Sequence, residues 1–530
     1  MCGFLAFKSK DYDEDKIKLS ASRIQYRGPD NTSYLFSDNH GMVFHRLAIV
    51  DTSEKGNQPL IHPQEEDISL VCNGEIYNHK QLIRDNSFKI SSESDCEVIL
   101  HMYKDFGIEK TVKSLDGVFA FALYDARINT LFVARDPYGV RPLFVGKNKK
   151  GESIFASEAK ALVDLCEGIK QFDPGMFWTS AQPTKFKRYY STRFNTKKHT
   201  DEAIILKNIN SSLSNAVEKR LMSDRELGCL LSGGLDSSLI SALAIELSGK
   251  KLNTFSIGME GSPDLFYADR VAKHIGSKHH SVKLSTKEFL DTIPEVIEKI
   301  ESYDTTTVRA SVGNYLISKY IKENTDCKVI FNGDGADEVC MGYAYNKNAP
   351  SEPEFLNENI KLLREIHLFD VLRSDRSISS NGLEARTPFL DLDFVKMYLA
   401  IDTKFKMFGE NGLPEKFLLR KAFDRTGLLP DSILWRNKCA FSDGVSHVLT
   451  SWHETIKEFI DLKITDNDFK SQQSSITHCK PLLKESLYYR NIFEDIFGKE
   501  NETLVPHFWM PNWTDAIDPS ARVLDGHKED

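Results

Sequence analysis

The stretch that most constrains the fold runs from Leu227 to Gly249, LGCLLSGGLDSSLISALAIELSG. A short apolar run predicts a strand, Ser232, Gly233, Gly234, Leu235, Asp236 and Ser237 a loop, and Leu239, Ile240, Leu243, Ala244 and Leu247 the apolar face of a helix closed by Gly249. Two glycines let the backbone approach a ligand, while serine hydroxyls and the N–H groups at the helix start converge on one spot, a combination suited to phosphate. No Gly-Lys-Ser/Thr follows, which excludes a Walker A loop. Asp236 instead sets a carboxylate beside the phosphate position, an arrangement that calls for a cation such as Mg²⁺ between them. The competing reading is a glycine turn that merely starts a helix.

The chain of 530 residues is long enough for two domains with separate cores, and 41% hydrophobic with 27% charged residues is an ordinary globular balance. A net charge of −9 without long basic runs argues against nucleic acid as partner. Nine cysteines without Cys-x-x-Cys spacing read as reduced thiols of a cytosolic protein, and no apolar run approaches the ~18 residues of a membrane span. The polar stretch between Tyr190 and Asp201 reads as a boundary, giving expected domains 2–190 and 201–530.

In the first domain, β-like runs at Tyr34 to Phe36, Met42 to Val50, Ile68 to Cys72, Val118 to Tyr124 and Leu131 to Ala134 mix with helical stretches near Ile17 to Ile24 and Ser94 to Phe106, predicting a layered α and β domain. Met1 precedes Cys2, and a small second residue favours removal of the initiator. Cys2 would then hold a thiol and an α-amine with pKa near ~8, nucleophile and general base in one residue. Set into the domain are Arg27-Gly28-Pro29-Asp30, His45 to Asp51, Asn73 to Asn78, Ser94 to Glu97 and Arg135 to Gly139. Taken singly, Asn73-Gly74 also reads as a hairpin turn and Ser94 to Glu97 as a capping box.

Together with Cys2 these motifs resemble the class II glutamine amidotransferases, which implies an Ntn-hydrolase-type αββα sandwich that releases ammonia from the glutamine side chain. In that resemblance Arg46 holds the glutamine α-carboxylate and Asp95 with Glu75 its α-ammonium, chemistry that suits a guanidinium and two carboxylates. The backbone of Leu47, Ala48, Ile49 and Val50 lines the pocket, and the Asn73 amide with the Gly74 N–H forms an oxyanion hole.

Beyond the glycine loop, which is similar to the PP-loop of ATP pyrophosphatases, strands at Asn253 to Ile257 and Lys328 to Phe331 alternate with a helical run from Tyr267 to Ile275, predicting an α/β parallel-sheet domain with ligands at the strand ends. The second of these strands delivers Asn332-Gly333-Asp334-Gly335-Ala336-Asp337-Glu338, without EF-hand spacing. Glu301 to Gly313, Leu372 to Arg376, Gly382 to Asp391, Trp435 to Lys438, Phe441 to Gly444, Phe508 to Pro511 and Asp518 to Arg522 follow. Over nearly the whole length the chain resembles the eukaryotic-type, glutamine-hydrolysing asparagine synthetases. That resemblance implies ATP, L-aspartate and L-glutamine as substrates. It puts Leu231, Ile257, Asn332 and Gly333 with the glycine loop on ATP, and Asp236 and Asp337 on Mg²⁺. Thr306, Thr307 and Arg309 fall to aspartate and its adenylate, and Asp334 and Lys438 to catalysis; dimers are frequent in the family. Arg309 reads equally as an internal ion pair and Lys438 as a helix-end charge.

Two residues depart from the family pattern. Asp334 stands where a glutamate is usual, shortening the carboxylate by one methylene, and Cys439 replaces a glutamate after Lys438. A related amidotransferase acting on another carboxylate, and a catalytically silent subunit, are the alternative readings.

Overall fold

The computed structural model describes the chain except residues 193–197, 410–411, 439–443, 447–449 and 520–530. Cys439, most of Phe441 to Gly444, part of the expected boundary and the end of the Asp518 to Arg522 motif therefore lie outside the described residues.

Twelve strands build the N-terminal part: β1 (Gly3–Lys8), β2 (Asn31–Phe36), β3 (His40–Arg46), β4 (Leu60–His62), β5 (Glu65–Ile76), β6 (Gly117–Asp125), β7 (Thr130–Arg135), β8 (Phe144–Lys147), β9 (Ser153–Ala156), β10 (Glu167–Gln171), β11 (Met176–Thr179) and β12 (Phe186–Arg188). They form two six-stranded antiparallel sheets, ordered β10-β8-β9-β1-β3-β2 and β12-β11-β7-β6-β5-β4. Strand β1 shows why the sheets are sandwiched. Its side chains alternate, Phe4 and Ala6 packing between the sheets with Met42, Phe44, Val71 and Trp178, and Leu5 and Phe7 packing outward against Ile17 and Ala21 of helix α1 (Glu14–Ser22). Both faces are covered, so the strand is apolar from Phe4 to Phe7 instead of alternating with polar residues. Helices α2 (His79–Asn86) and α3 (Val98–Ser114) cover the other sheet, completing an αββα stack.

Three local expectations are corrected. The strand expected from Met42 to Val50 ends at Arg46, because Leu47 turns out of the sheet to offer both its N–H and its carbonyl to the Cys2 thiol. Asn73 and Gly74 are no hairpin turn; they sit in mid-strand opposite Ala120 and Phe119. Ser94 caps nothing with its side chain. A 3₁₀ turn at Asp95–Glu97 opens into α3, and Gly107, at φ 72°, breaks that helix.

The C-terminal part carries a fully parallel sheet, ordered β15-β14-β13-β16-β17, from β13 (Glu226–Leu230), β14 (Asn253–Gly258), β15 (Lys278–Lys283), β16 (Cys327–Phe331) and β17 (Glu384–Arg386). It is surrounded by α4 (Glu202–Glu218), α5 (Leu235–Ser248), α6 (Pro263–Ile275), α7 (Thr286–Ile300), α8 (Thr305–Asn324), α9 (Ala336–Cys340), α10 (Glu352–Glu365) and α11 (Asp370–Ser379), followed by further helices. Because β13 is central, with β14 and β16 on opposite sides, the loops leaving β13 and β16 open side by side at the carboxyl edge of the sheet, where open α/β sheets bind ligands.

The two parts meet across buried charges. Arg27 Nη1 lies 2.5 Å from Glu158 and 2.9 Å from Asp375, Lys160 Nζ lies 3.1 Å from Glu158, and the Glu301 carboxylate accepts from the backbone N–H groups of Ala159 and Lys160. All five of these charged side chains are buried.

Glu97 anchors the turn that carries Asp95. It accepts from both the N–H and the hydroxyl of Ser91 and of Ser92, and lies 3.3 Å from His101 Nε2. Burial opposes its ionisation, but the His101 and serine bonds hold its carboxyl down at about 2. Glu97→Gln should cost about 2 kcal/mol at neutral pH. Because the folded value lies below the ordinary ~4.3, the difference from wild type should be complete above that value and shrink as pH falls from it towards the folded value. Urea unfolding at a series of pH values measures this, and a difference that stays constant on acidification would contradict it.

Candidate functional site

The first centre surrounds Cys2 at the head of β1. Its thiol sits 3.4 Å from Leu47 N and 3.7 Å from Leu47 O, and its backbone N–H donates to Asn73 Oδ1 at 3.1 Å. Arg27 Nε donates to the Cys2 carbonyl at 2.9 Å. With Met1 in place, burial pushes the thiol up to about 11, and the Met1 ammonium, itself pushed down to about 6 by burial, donates to Leu383 O. A thiol in that state is protonated at neutral pH and is a poor nucleophile.

Asn73 Nδ2 is buried and has no hydrogen-bond partner within the protein, so the side chain that accepts from the Cys2 N–H keeps an unused amide donor. Gly74 is fixed by sterics, since a Cβ there would lie 2.3 Å from Val118 O. Leu47, Ala48 and Ile49 form a buried backbone strip, with half-buried Val50 at its end. It is pinned from outside where Ala48 O accepts from Arg225 Nε and Ile49 O accepts from Asp224 N, both at 2.9 Å.

The three charged residues expected on glutamine are differently placed. Arg46 donates from Nη1 to Ser53 O and Asn57 Oδ1, each at 2.7 Å, and from Nη2 to Asp51 O, so its fork is held by the 51–57 loop. Asp95 accepts from Ile76 N at 2.6 Å. Glu75 Oε2 has no hydrogen bond and lies 3.6 Å from Arg386 Nη2, and burial together with Glu384 and Asp95 pushes its carboxyl well above the usual range.

The second centre is a cavity of about 440 Å³ at the carboxyl edge of the parallel sheet, lined by Leu231, Ser232, Gly234, Leu235, Asp236, Ser237, Ile257, Asn332, Gly333 and Asp334 among others. Gly233, at φ 77°, adopts the backbone that starts α5, and a Cβ there would lie 2.5 Å from Tyr267 and Ala268. Ser232 Oγ and Ser237 Oγ are 3.0 Å apart across the loop. Gly333 packs so closely that a Cβ would lie 2.8 Å from Ser237 N, which joins the two loops edge to edge.

Asp236 and Asp337 converge on one cation. Lys416 Nζ lies 2.6 Å from Asp236 Oδ2 and 2.7 Å from Asp337 Oδ1, and Lys438 pairs with the other oxygen of Asp337. Asp236 Oδ1 is buried without a partner. Burial opposes ionisation of Asp337, yet Lys416 and Lys438 hold it well below the usual carboxylate range. Burial also opposes the charge on Lys416, and the two carboxylates hold its ammonium above the ordinary lysine range. Two carboxylates facing one charge, with a further oxygen unused, are a donor set that suits a hard divalent ion bridged to phosphate.

Among the aspartate candidates, Thr306 lines the cavity with a buried, unpartnered Oγ1. Thr307 Oγ1 donates instead to Asp304, the N-cap of α8, at 2.7 Å. Arg309 is gripped by two carboxylates, Glu485 at 2.6 Å and 2.8 Å and Asp518 at 2.7 Å and 2.9 Å. The internal ion-pair reading of Arg309 thus describes its present contacts. Asp334 Oδ1 is 3.3 Å from Arg373 Nη2. Sequence reasoning missed Lys416, which sits outside every motif and matters only because the fold returns it to the cavity. It also left Arg373 without a role although it lies within the Leu372 to Arg376 string, where an arginine three residues after the α11 start was the available signal.

Replacing Lys416 with Met should leave Asp236 and Asp337 facing each other and destabilise the fold by about 3–5 kcal/mol, the range for breaking a buried pair. Thermal unfolding with and without MgCl₂ checks the pair as a cation site. Magnesium should raise the melting temperature of the variant more than that of wild type, and equal shifts would refute this.

Comparison with known proteins bears on both centres. The chain matches the model of the glutamine amidotransferase domain over residues 1–208 and that of asparagine synthase over residues 208–362 and 348–517. It is 43% identical to the glutamine-hydrolysing asparagine synthetase of Gallus gallus, 42% to that of Bos taurus and 41% to that of Homo sapiens, each over 100% of this chain and 99% of the relative. With a cysteine-headed sandwich and a glycine-loop parallel sheet each lying where one family model matches, the chain belongs to the glutamine-hydrolysing asparagine synthetases.

Proposed function

We propose that the chain makes asparagine from ATP, L-aspartate and L-glutamine, with residues 2–190 as the glutaminase unit and 201–530 as the synthetase unit. The observation that carries the reading is the carboxylate and lysine cluster on the glycine loop, in the same chain as a thiol set against an unpartnered amide donor.

In the glutaminase unit, removal of Met1 frees the Cys2 amine, which takes the thiol proton as sulfur attacks the glutamine side-chain carbonyl. The tetrahedral oxyanion is met by Asn73 Nδ2 and the Gly74 N–H, ammonia leaves with that proton, and water releases glutamate from the thioester. Leu47 to Val50 line the glutamine side chain. Arg46 supports its carboxylate end, in exchange for contacts with the 51–57 loop, and Glu75 and Asp95 lie at its ammonium end.

In the synthetase unit, Leu231, Ile257 and Asn332 with the two glycine loops seat ATP. Asp236 and Asp337 would hold Mg²⁺, which supplies charge neutralisation at the leaving pyrophosphate. The aspartate β-carboxylate attacks the α-phosphorus, and Lys416 and Lys438 offset the charge that develops there. Thr306 offers a hydroxyl to the aspartate, with Thr307 and Arg309 shaping the same wall, and Asp334, steadied by Arg373, faces the acyl group. Ammonia arriving through the protein displaces AMP from the β-aspartyl adenylate, giving asparagine. A path shielded from water protects the adenylate from hydrolysis. The reading places the enzyme in the cytosol, in keeping with free thiols at all eight described cysteines, and as a homodimer, as the family resemblance suggests. No helix among the described residues is long and apolar enough to cross a membrane.

Incubation with ATP, aspartate and glutamine should yield asparagine, glutamate, AMP and pyrophosphate in matched amounts. Formation of ADP and phosphate instead would sink the adenylate. Cys2→Ala should abolish glutamine-dependent synthesis and spare synthesis from ammonium salts, and loss of both would contradict the division of labour.

A further inference from the structure

Asp334 hangs from helix α11 at three points. The peptide before it is tied through Asn332, whose Oδ1 accepts from Asp334 N at 3.3 Å while its Nδ2 donates to Ser374 Oγ at 2.7 Å. The peptide after it is tied directly, with Gly335 N donating to Asp370 Oδ2 at 3.0 Å. The carboxylate itself accepts from Arg373 Nη2 at 3.3 Å, and the same nitrogen pairs with Asp370. Asp370, Arg373 and Ser374 all fall within the first five residues of α11, and Asn332 and Ser374 are only 3% and 1% exposed.

The backbone on either side has no slack. Gly333 lies against α5, where a Cβ would come 2.8 Å from Ser237 N, and Gly335, at φ 88°, would put a Cβ 2.7 Å from Leu390 Cγ. Asn332 N also donates to Arg386 O at 3.1 Å, which joins the root of the loop to β17. With the main chain of residue 334 held in this way, the place of its carboxylate is set by side-chain length. One methylene moves that carboxylate by about 1.5 Å, a C–C bond length. A displacement of that order is enough to lower the rate of a positioned reaction substantially. The tether needs an amide, because the donor arm and the acceptor arm of Asn332 are both engaged, one on the helix and one on the loop.

We infer that Ser374, acting through the two-armed amide of Asn332, is a positioning residue for Asp334, and that this tether seats the loop for an aspartate and not for the longer glutamate usual at that position in the family. The inference rests on the proposed function, which puts Asp334 at the acyl group. Asp370 and Arg373 face the cavity, whereas Ser374 lies outside its lining and touches neither ATP nor aspartate in this scheme. Loss of the Ser374 hydroxyl leaves Asn332 Nδ2 without its partner and lets the loop shift. A glutamate on the intact tether carries its carboxylate past the seat beside Arg373.

The test measures pyrophosphate release and asparagine formation by the full chain from ATP, aspartate and ammonium salts, which leaves glutamine hydrolysis out. Ser374→Ala keeps a strong helix former in α11 and should fold. Its kcat should fall about tenfold while KM for ATP and for aspartate stay within about twofold. Asp334→Glu should also lower kcat about tenfold, and the double variant should lose much less than the product of the two, because the loosened loop makes room for the longer side chain. A wild-type kcat in Ser374→Ala overturns the inference, whether KM rises or only the melting temperature falls, since the latter marks a structural role alone. An Asp334→Glu enzyme as fast as wild type overturns it too, as do losses that simply multiply in the double variant. Asp334→Glu carries the test alone should Ser374→Ala not fold. A wild type that releases no pyrophosphate with aspartate sinks the proposed function itself, a distinct result.

Discussion

The structure depends on charge buried between its two halves. Arg27, Glu158, Lys160, Glu301, Asp375 and Arg376 are removed from water together, and each cation there faces carboxylate on more than one side. Desolvating so many ions costs as much as their attraction returns, so the network adds little net stability. What it imposes is geometry. An apolar interface tolerates sliding, whereas a guanidinium fork shared between carboxylates of two domains is satisfied in one relative orientation. Loss of one member leaves an uncompensated charge, so the halves meet in one way or pay heavily in free energy.

Charge also organises the nucleotide centre, by a different logic. Asp236 and Asp337 are close enough to repel, and Lys416 sits between them, with Lys438 holding Asp337 ionised while burial pushes the Asp236 carboxyl up. The site is therefore electrostatically preassembled: Asp337 stays charged because of the lysines beside it, and Lys416 stays charged because of the two carboxylates. Such a site needs little reorganisation when a triphosphate brings its own negative charge, since the protein dipoles and ions already point inward. Lys438, over the ring of Tyr343 at 4.7 Å as well as beside Asp337, is restrained from two directions.

Much of this was legible in the sequence because its signals are local. The helix capped by Gly249, the Ser232 to Ser237 loop and the strands around Phe121 and Val133 follow from periodicity over a few residues, and α5, β6 and β7 appear where periodicity puts them. Local reasoning failed where tertiary demands override it. Leu47 to Val50 are as apolar as a strand but leave the sheet to wrap the thiol, and Asn73-Gly74 has turn composition but is held flat by β6 because the glycine admits close approach of the Val118 carbonyl. Lys416 illustrates the harder limit. It is separated from Asp236 by 180 residues, lies in no motif, and gains its meaning only from convergence in space.

Arg309 shows how placement and role come apart. A guanidinium on α8 facing the cavity has the chemistry to bind aspartate, yet here all its forks are taken, one by Glu485 and the other by Asp518 from the stretch that closes over the cavity through Trp509 and Pro519. Glu485 is further held by the Tyr489 hydroxyl at 2.8 Å and belongs to the helix Lys484–Phe497, so that side of the pair is part of the domain core. Asp518 lies in irregular chain and is more exposed than Glu485. Arg309 is thus compensated on both sides, by a carboxylate of the domain core and by one from the terminal stretch, and removing either would leave part of a buried guanidinium uncompensated.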